Sequence, residues 1–96
     1  MTVMMPAGRQ DVYKIDLPQK VIKQLDKIPN KDYPSVSRAI QNLKTTARPV
    51  GCKKLLKSLY RIRIGDFRVI YWIDDRNKTI VITKVERRTE KTYRDL

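Results

Sequence analysis

Hydrophobic and polar positions change period several times along this chain. Residues 11–17 alternate, with Val12, Tyr13, Ile15 and Leu17 as the apolar members, which predicts a short strand closed by Pro18. From Pro18 the spacing shifts to three and four. Val21, Ile22, Leu25 and Ile28 mark the apolar stripe of a helix over residues 18–28, ended by Pro29-Asn30, with Lys20, Lys23, Lys27 and Lys31 expected in solvent. A second stripe of Val36, Ala39, Ile40 and Leu43 predicts a helix from Asp32 or Tyr33 to Lys44, with Asp32 as N-cap and Pro34 in the first turn. The short link makes the two helices an antiparallel hairpin. Residues 45–51, with Pro49 and Gly51, read as a loop, and residues 53–57 fit either a loop or a short strand.

Period two returns in Tyr60-Arg61-Ile62-Arg63-Ile64-Gly65-Asp66-Phe67-Arg68-Val69-Ile70-Tyr71. Gly65-Asp66 predicts a two-residue turn of type II′ or I′, pairing Ile64 with Phe67, Arg63 with Arg68 and Arg61 with Ile70. Arg61, Arg63 and Arg68 then share one face. Tyr60 and Tyr71 share the other with Ile62, Ile64, Phe67 and Val69, so they read as packing residues. Trp72 falls on the arginine side, bordering a bound strand or covering the sheet edge. Opposed guanidinium groups weaken a sheet, and arginine cannot shed its proton, so a polyanion lying between them is the expected compensation. Residues 74–78 form a polar turn, and the β-branched run over 79–85 predicts a strand buried on both faces. A tail follows with Glu86, Arg87, Arg88, Glu90, Lys91, Tyr93 and Arg94, read as an irregular turn and a last helical turn, with Glu86 and Glu90 bracing Arg87 and Arg88. The predicted order is β-α-α-β-β-β: an α+β fold with a two-helix hairpin packed on one face of a small, mostly antiparallel sheet.

Size and charge narrow the picture. The chain has 96 residues, 41% hydrophobic, which allows one domain over 11–96 after a flexible arm over 1–10. The net charge is +12, of which residues 44–96 carry +9. Between Ala47 and Trp72, Arg48, Lys53, Lys54, Lys57, Arg61, Arg63 and Arg68 stand against Asp66 alone, a footprint suited to a nucleic-acid backbone or an acidic protein. Any one exposed arginine is ordinarily just a solvated side chain; the opposed pair with a third beside it favours binding. Cys52 is the single cysteine and there is no histidine, so no internal disulfide forms, no zinc site is expected, and the thiol lacks an activating base. No stretch has the length of a membrane span and no signal sequence opens the chain, so a cytoplasmic protein that needs no cofactor is expected.

The hairpin from Leu59 to Tyr71, together with Arg87-Arg88-Thr89-Glu90-Lys91-Thr92-Tyr93, resembles the RelE branch of the RelE/ParE toxin family over nearly all of residues 11–94. The paired arginines around Gly-Asp, followed by Val-Ile-Tyr, carry the resemblance; the helices alone would not. It implies the toxin of a type II toxin–antitoxin pair, an endoribonuclease that cuts messenger RNA in the ribosomal A site without metal. It further implies neutralisation by a cognate antitoxin, with operator DNA met only through the antitoxin complex. Matched by position, Arg61, Arg63, Arg68, Arg87 and Tyr93 are the expected catalytic residues, with Lys53, Lys54, Lys57 and Arg88 along the RNA path. The chain departs from the pattern at Glu86, where many relatives have histidine or lysine.

Such cleavage needs an aligned 2′-hydroxyl, a base, an acid for the leaving 5′-oxygen and positive charge for the phosphorane. Arginine supplies the charge but is a poor base, so proton transfer is left to Tyr93, Glu86, Glu90 or a lysine such as Lys53 or Lys54, with Tyr93 first. Two other functions fit the charge: inhibition of DNA gyrase in the manner of ParE, with no catalytic constellation, and non-catalytic RNA or DNA binding.

Overall fold

The computed structural model describes residues 12–88. Lys14–Asp16 forms the first strand, β1. It is shorter than the alternation over 11–17 suggested, because only these three residues meet a neighbour, pairing in parallel with Thr79, Ile80 and Val81. The first helix, α1, spans Gln19–Asp26, with Pro18 as N-cap and its carbonyl accepting from the Val21 and Ile22 amides. Val21, Leu25 and Ile28 are buried, but Ile22 is 40% exposed. One residue further round the helix than Val21, it falls on the flank of the stripe rather than within it. Lys20, Lys23, Lys27 and Lys31 are exposed, as expected.

Helix α2, Tyr33–Asn42, has Pro34 in its first turn. Asp32 occupies the N-cap position, yet its side chain makes no capping hydrogen bond. The α-helix ends short of Lys44 because the Leu43 and Lys44 amides bond three residues back, to Ile40 and Gln41, tightening the last turn.

Four further strands follow: β2 Lys53–Leu56, β3 Leu59–Ile64, β4 Phe67–Asp74 and β5 Thr79–Arg87. The sheet order is β1-β5-β4-β3-β2, antiparallel throughout except for β1 against β5. The segment open to either reading is thus a strand, and the sheet has five strands where four were predicted. The central hairpin has the expected register, with Ile64 opposite Phe67, Arg63 opposite Arg68 and Arg61 opposite Ile70. Gly65 has φ +58° while Asp66 stays out of the positive region, which selects II′ from the two turn types.

Both helices pack on one face, α1 over β5 and α2 over β3. The core between the layers is centred on Tyr71, Ile73, Ile80, Ile82, Val69, Val21, Val36 and Leu43. Tyr71 is wholly buried, donates its hydroxyl to the Ala47 carbonyl at 2.8 Å and stacks on Tyr60 with centroids 6.0 Å apart. Burial pushes its phenol well above the usual range, so it stays a donor.

Among the described residues no helix covers the opposite face of the sheet. Burial on both faces of β5 is therefore not observed: Ile80 and Ile82 are buried, whereas Thr79, Val81 and Thr83 on the open side are half-buried. The strand also slips register. Ile70 pairs with Lys84 but Tyr71 pairs with Ile82, leaving Thr83 as the extra residue of a β-bulge, its hydroxyl donating to the Ile70 carbonyl at 3.0 Å. Beyond the bulge the inward and outward positions exchange. Val85 is buried, three residues after Ile82, and Glu86 moves to the open face. The arm over 1–10 and the last helical turn lie outside the described residues.

Candidate nucleic-acid interface

Residues paired across neighbouring strands share a face, so the register places the arginines directly. One row on the open face reads Arg63, Arg68, Glu86 across β3, β4 and β5. The next reads Lys53, Arg61, Ile70, Lys84 across β2 to β5. Further on stand Leu59, Trp72 and Val81, with Trp72 42% exposed. Ile64 and Phe67 close the two-residue turn as a hydrogen-bonded pair, so Arg63 and Arg68 form the next, non-hydrogen-bonded pair, whose Cα atoms approach to about 4.5 Å. Among the described residues neither Arg61 nor Arg63 has a carboxylate partner, and the Arg61 Nε is buried with no acceptor.

Arg68 is different. Its Nε donates to Glu86 Oε2 at 2.5 Å, and Glu86 Oε1 lies 3.4 Å from Lys84 Nζ. The expectation that a polyanion must relieve the Arg63–Arg68 repulsion is thereby corrected: Glu86 on the neighbouring strand already supplies part of the compensation. Among the described residues Glu86 forms ion pairs with Arg68 and Lys84 and none with Arg87, which as the next residue of the strand faces the other side.

Not every expected residue joins this face. Arg87 pairs with Phe67, a core position, and its guanidinium lies 5.1 Å from the Phe67 ring centroid on the helix-facing side. There it lines a groove of about 270 Å³ with Gln24, Lys27 and Pro29. Arg87 reaches the other arginines only around the end of the sheet, one row beyond Arg68 and Glu86. The Arg88 amide donates to the Asp66 carbonyl at 2.7 Å, which sets that residue beside the hairpin turn. Lys53 faces Arg61, but Lys54 faces Tyr60 and so points to the helix side. Lys57, at φ +43°, sits in the β2–β3 turn at the far end of the hairpin from Arg63. Tyr93 and Glu90 lie outside the described residues.

Arg48 has a structural task instead. It donates to the Tyr60 hydroxyl at 3.0 Å and pairs with Asp75 at 2.9 Å, while Asp75 also accepts from the Tyr13 hydroxyl. This network ties the segment before β1 and the loop before β2 to the β4–β5 turn.

Lys84 was missed in the sequence because it shares even numbering with the buried Ile80 and Ile82. The signal that would have found it is the three-residue step from Ile82 to Val85.

Three carboxylates among the described residues are held below their usual range: Asp74, chiefly by its hydrogen bond with Asn77, and Asp75 and Glu86. For Asp75 the Arg48 hydrogen bond contributes most, then that from Tyr13. For Glu86 partial burial pushes the pKa up, but the hydrogen bond and charge of Arg68, with Lys84, together outweigh it. A carboxylate with a depressed folded pKa adds stability above its unfolded pKa, about 4 for these groups, and loses it as pH falls through the folded value. The urea midpoint should therefore hold from neutral pH down to about 5 and drop below about 4. An Asp75→Asn, Glu86→Gln double variant should fall less steeply over that window.

The arrangement offers permanent cations on an open sheet, suited to phosphate oxygens. Comparison with known proteins agrees with the fold. Residues 15–92 match the family described as ParE toxin of type II toxin-antitoxin system, parDE. A Methanocaldococcus jannaschii protein named as toxin RelE1 is 32% identical over 88 residues, covering 86% of this chain and 97% of that one. The archaeal RelE-RelB complex from Pyrococcus horikoshii OT3 contains a chain with TM-score 0.76 and 29% identity, covering 82% of this chain and 98% of its own. A chain of the toxin-antitoxin complex RelBE2 from Mycobacterium tuberculosis gives 0.69 and 26%, covering 80% and 99%. Isolated RelE from E. coli shares the fold, at TM-score 0.71 and 16% identity, over 88% of this chain and 99% of its own.

Proposed function

We propose that this chain, which belongs to the RelE branch of the RelE/ParE toxin family of toxin–antitoxin systems, cleaves messenger RNA on the ribosome and is silenced by a cognate antitoxin. The observation that carries the reading is the open cationic face, where among the described residues Arg61 and Arg63 lack carboxylate partners and the Arg61 Nε is an orphaned donor. A buried donor left unpaired costs about 1–3 kcal/mol, which a phosphate oxygen would recover.

In this proposal the 2′-hydroxyl attacks the adjacent phosphorus and the 5′-oxygen leaves. Arg61, Arg63 and Arg68 stabilise the phosphorane, and Lys53 and Lys84 hold the flanking backbone. Arg87 approaches from the rim at the end of the sheet. Glu86 is a weak base, because Arg68 and Lys84 hold its pKa low and its Oε2 is engaged by the Arg68 Nε. Proton transfer is assigned to Tyr93. A site with so few general bases suits an enzyme that takes its substrate geometry from the ribosome, and action on ribosomes would be cytoplasmic. Among the described residues no helix is long and apolar enough to cross a membrane. The relatives crystallised with RelB-type antitoxins support an antitoxin partner here, and an acidic segment laid over the cationic face is the complement that the charge requires.

Primer extension on cellular messages after induction tests this. Cuts aligned to codons are expected. DNA damage without cuts would favour gyrase inhibition, the reading closest to the ParE description, and neither outcome would leave a nucleic-acid-binding module.

A further inference from the structure

The bulge at Thr83 sets one carboxylate into a field of cations, and the atom it holds matters. Glu86 Oε2 takes the Nε of Arg68, while among the described residues the two terminal Nη atoms make no hydrogen bond. A carboxylate standing in for phosphate would sit on that terminal fork instead. Glu86 lies on β5 and Arg63 on β3, with Arg68 between them on β4, so the carboxylate grips Arg68 from the side away from Arg63. The Arg68 and Glu86 side chains are 22% and 26% exposed, so the pair is shielded where a surface ion pair would be loose.

We propose that Glu86 is a positioning residue: it fixes the Arg68 guanidinium through Nε so that the Nη pair and Arg63 together cradle one phosphodiester of the bound RNA strand. The proposal deepens the nuclease reading and rests on it for the identity of the ligand. Its chemistry is orientation against entropy. Arginine loses less freedom on binding phosphate when its plane is already held, and a bidentate contact depends on that plane. Glu86 also offsets part of the repulsion between Arg63 and Arg68, so both guanidinium groups stand at the cradle before the ligand arrives.

Plain charge counting predicts the reverse effect of deleting Glu86. Removing an anion from a cationic face should tighten RNA binding, equally for alanine and glutamine. A clamp predicts a graded loss, because the glutamine amide oxygen still accepts from Nε while alanine offers nothing.

The full chain is titrated with a 2′-O-methyl oligoribonucleotide, which lacks the attacking hydroxyl, at one fixed salt concentration, with thermal unfolding followed alongside. Glu86→Ala is expected to weaken binding about ten-fold, and Glu86→Gln by less. In an Arg68→Lys background, which has no Nε–H to hold, neither change should weaken it. Equal or tighter binding by both variants overturns the clamp. So does a loss that persists in the Arg68→Lys background, or the absence of measurable binding by the native chain. Cleavage on programmed ribosomes is measured in parallel. A native chain that binds in the predicted order but cuts nothing keeps the cradle and removes the nuclease reading; a native chain that cuts while the order fails does the opposite.

Discussion

Arg68→Ala is expected to slow messenger cleavage on programmed ribosomes by about a hundred- to a thousand-fold, the usual cost of removing one preorganised stabiliser of transition-state charge. Two effects act together. The phosphorane loses a guanidinium, and Glu86 loses its partner, so its negative charge is set free one strand from Arg68's place and two from Arg63. Glu86 keeps Lys84 at 3.4 Å, and the hydrophobic core lies on the other face of the sheet, so the variant should remain folded. Single-turnover rates, with circular dichroism as the control, decide the matter. A folded variant that cuts within ten-fold of the native rate, or still arrests growth on induction, would remove Arg68 from the site.

The largest expected loss of stability is at Tyr71. Tyr71→Ala removes a fully buried ring from the central strand, along with its stacking on Tyr60 and its hydrogen bond to Ala47. Large-to-small changes of this kind cost about 3–5 kcal/mol, against a total of about 5–15 for a small domain, so the variant should unfold at far lower urea or not accumulate folded at all. Tyr71→Phe keeps the ring and leaves only the Ala47 carbonyl unpaired, for about 1–3 kcal/mol. A Tyr71→Ala midpoint close to that of Tyr71→Phe would show that the cavity collapses and that the ring is not the keystone of the sheet.

The central hairpin was legible because a two-residue turn leaves no freedom of register: once Gly65-Asp66 is the turn, Arg63 must face Arg68. The helices were legible from their stripes, with errors confined to the flank at Ile22 and the last turns after Asp26 and Asn42. Strand β2 was not, because Lys53–Leu56 is exposed at every position and carries no alternation to detect. The bulge mattered most. A regular strand over 79–87 would group Ile80, Ile82, Lys84 and Glu86 on one side, which hides both the Arg68–Glu86 pair and the inward turn of Arg87. A bulge is a tertiary compromise between the twist of β4 and the packing of α1, and Gln24 of α1 accepts from the Val85 amide just past it. Nothing in the local sequence of β5 announces that partner.

The neighbour of β1 is β5, the last of the described strands in chain order. A nascent chain therefore carries an orphan segment at residues 14–16 until translation has passed residue 81, and the cations of β2 to β4 lack Lys84 and Glu86 for longer still. Pairing segments so far apart in the chain is slow, because the loop-closure entropy is lost before the contact is made. A product terminated before Thr79 would leave the edge of β4 bare and β1 without a seat. Such a fragment should be degraded rather than act, so the proposed activity requires β5 to be in place.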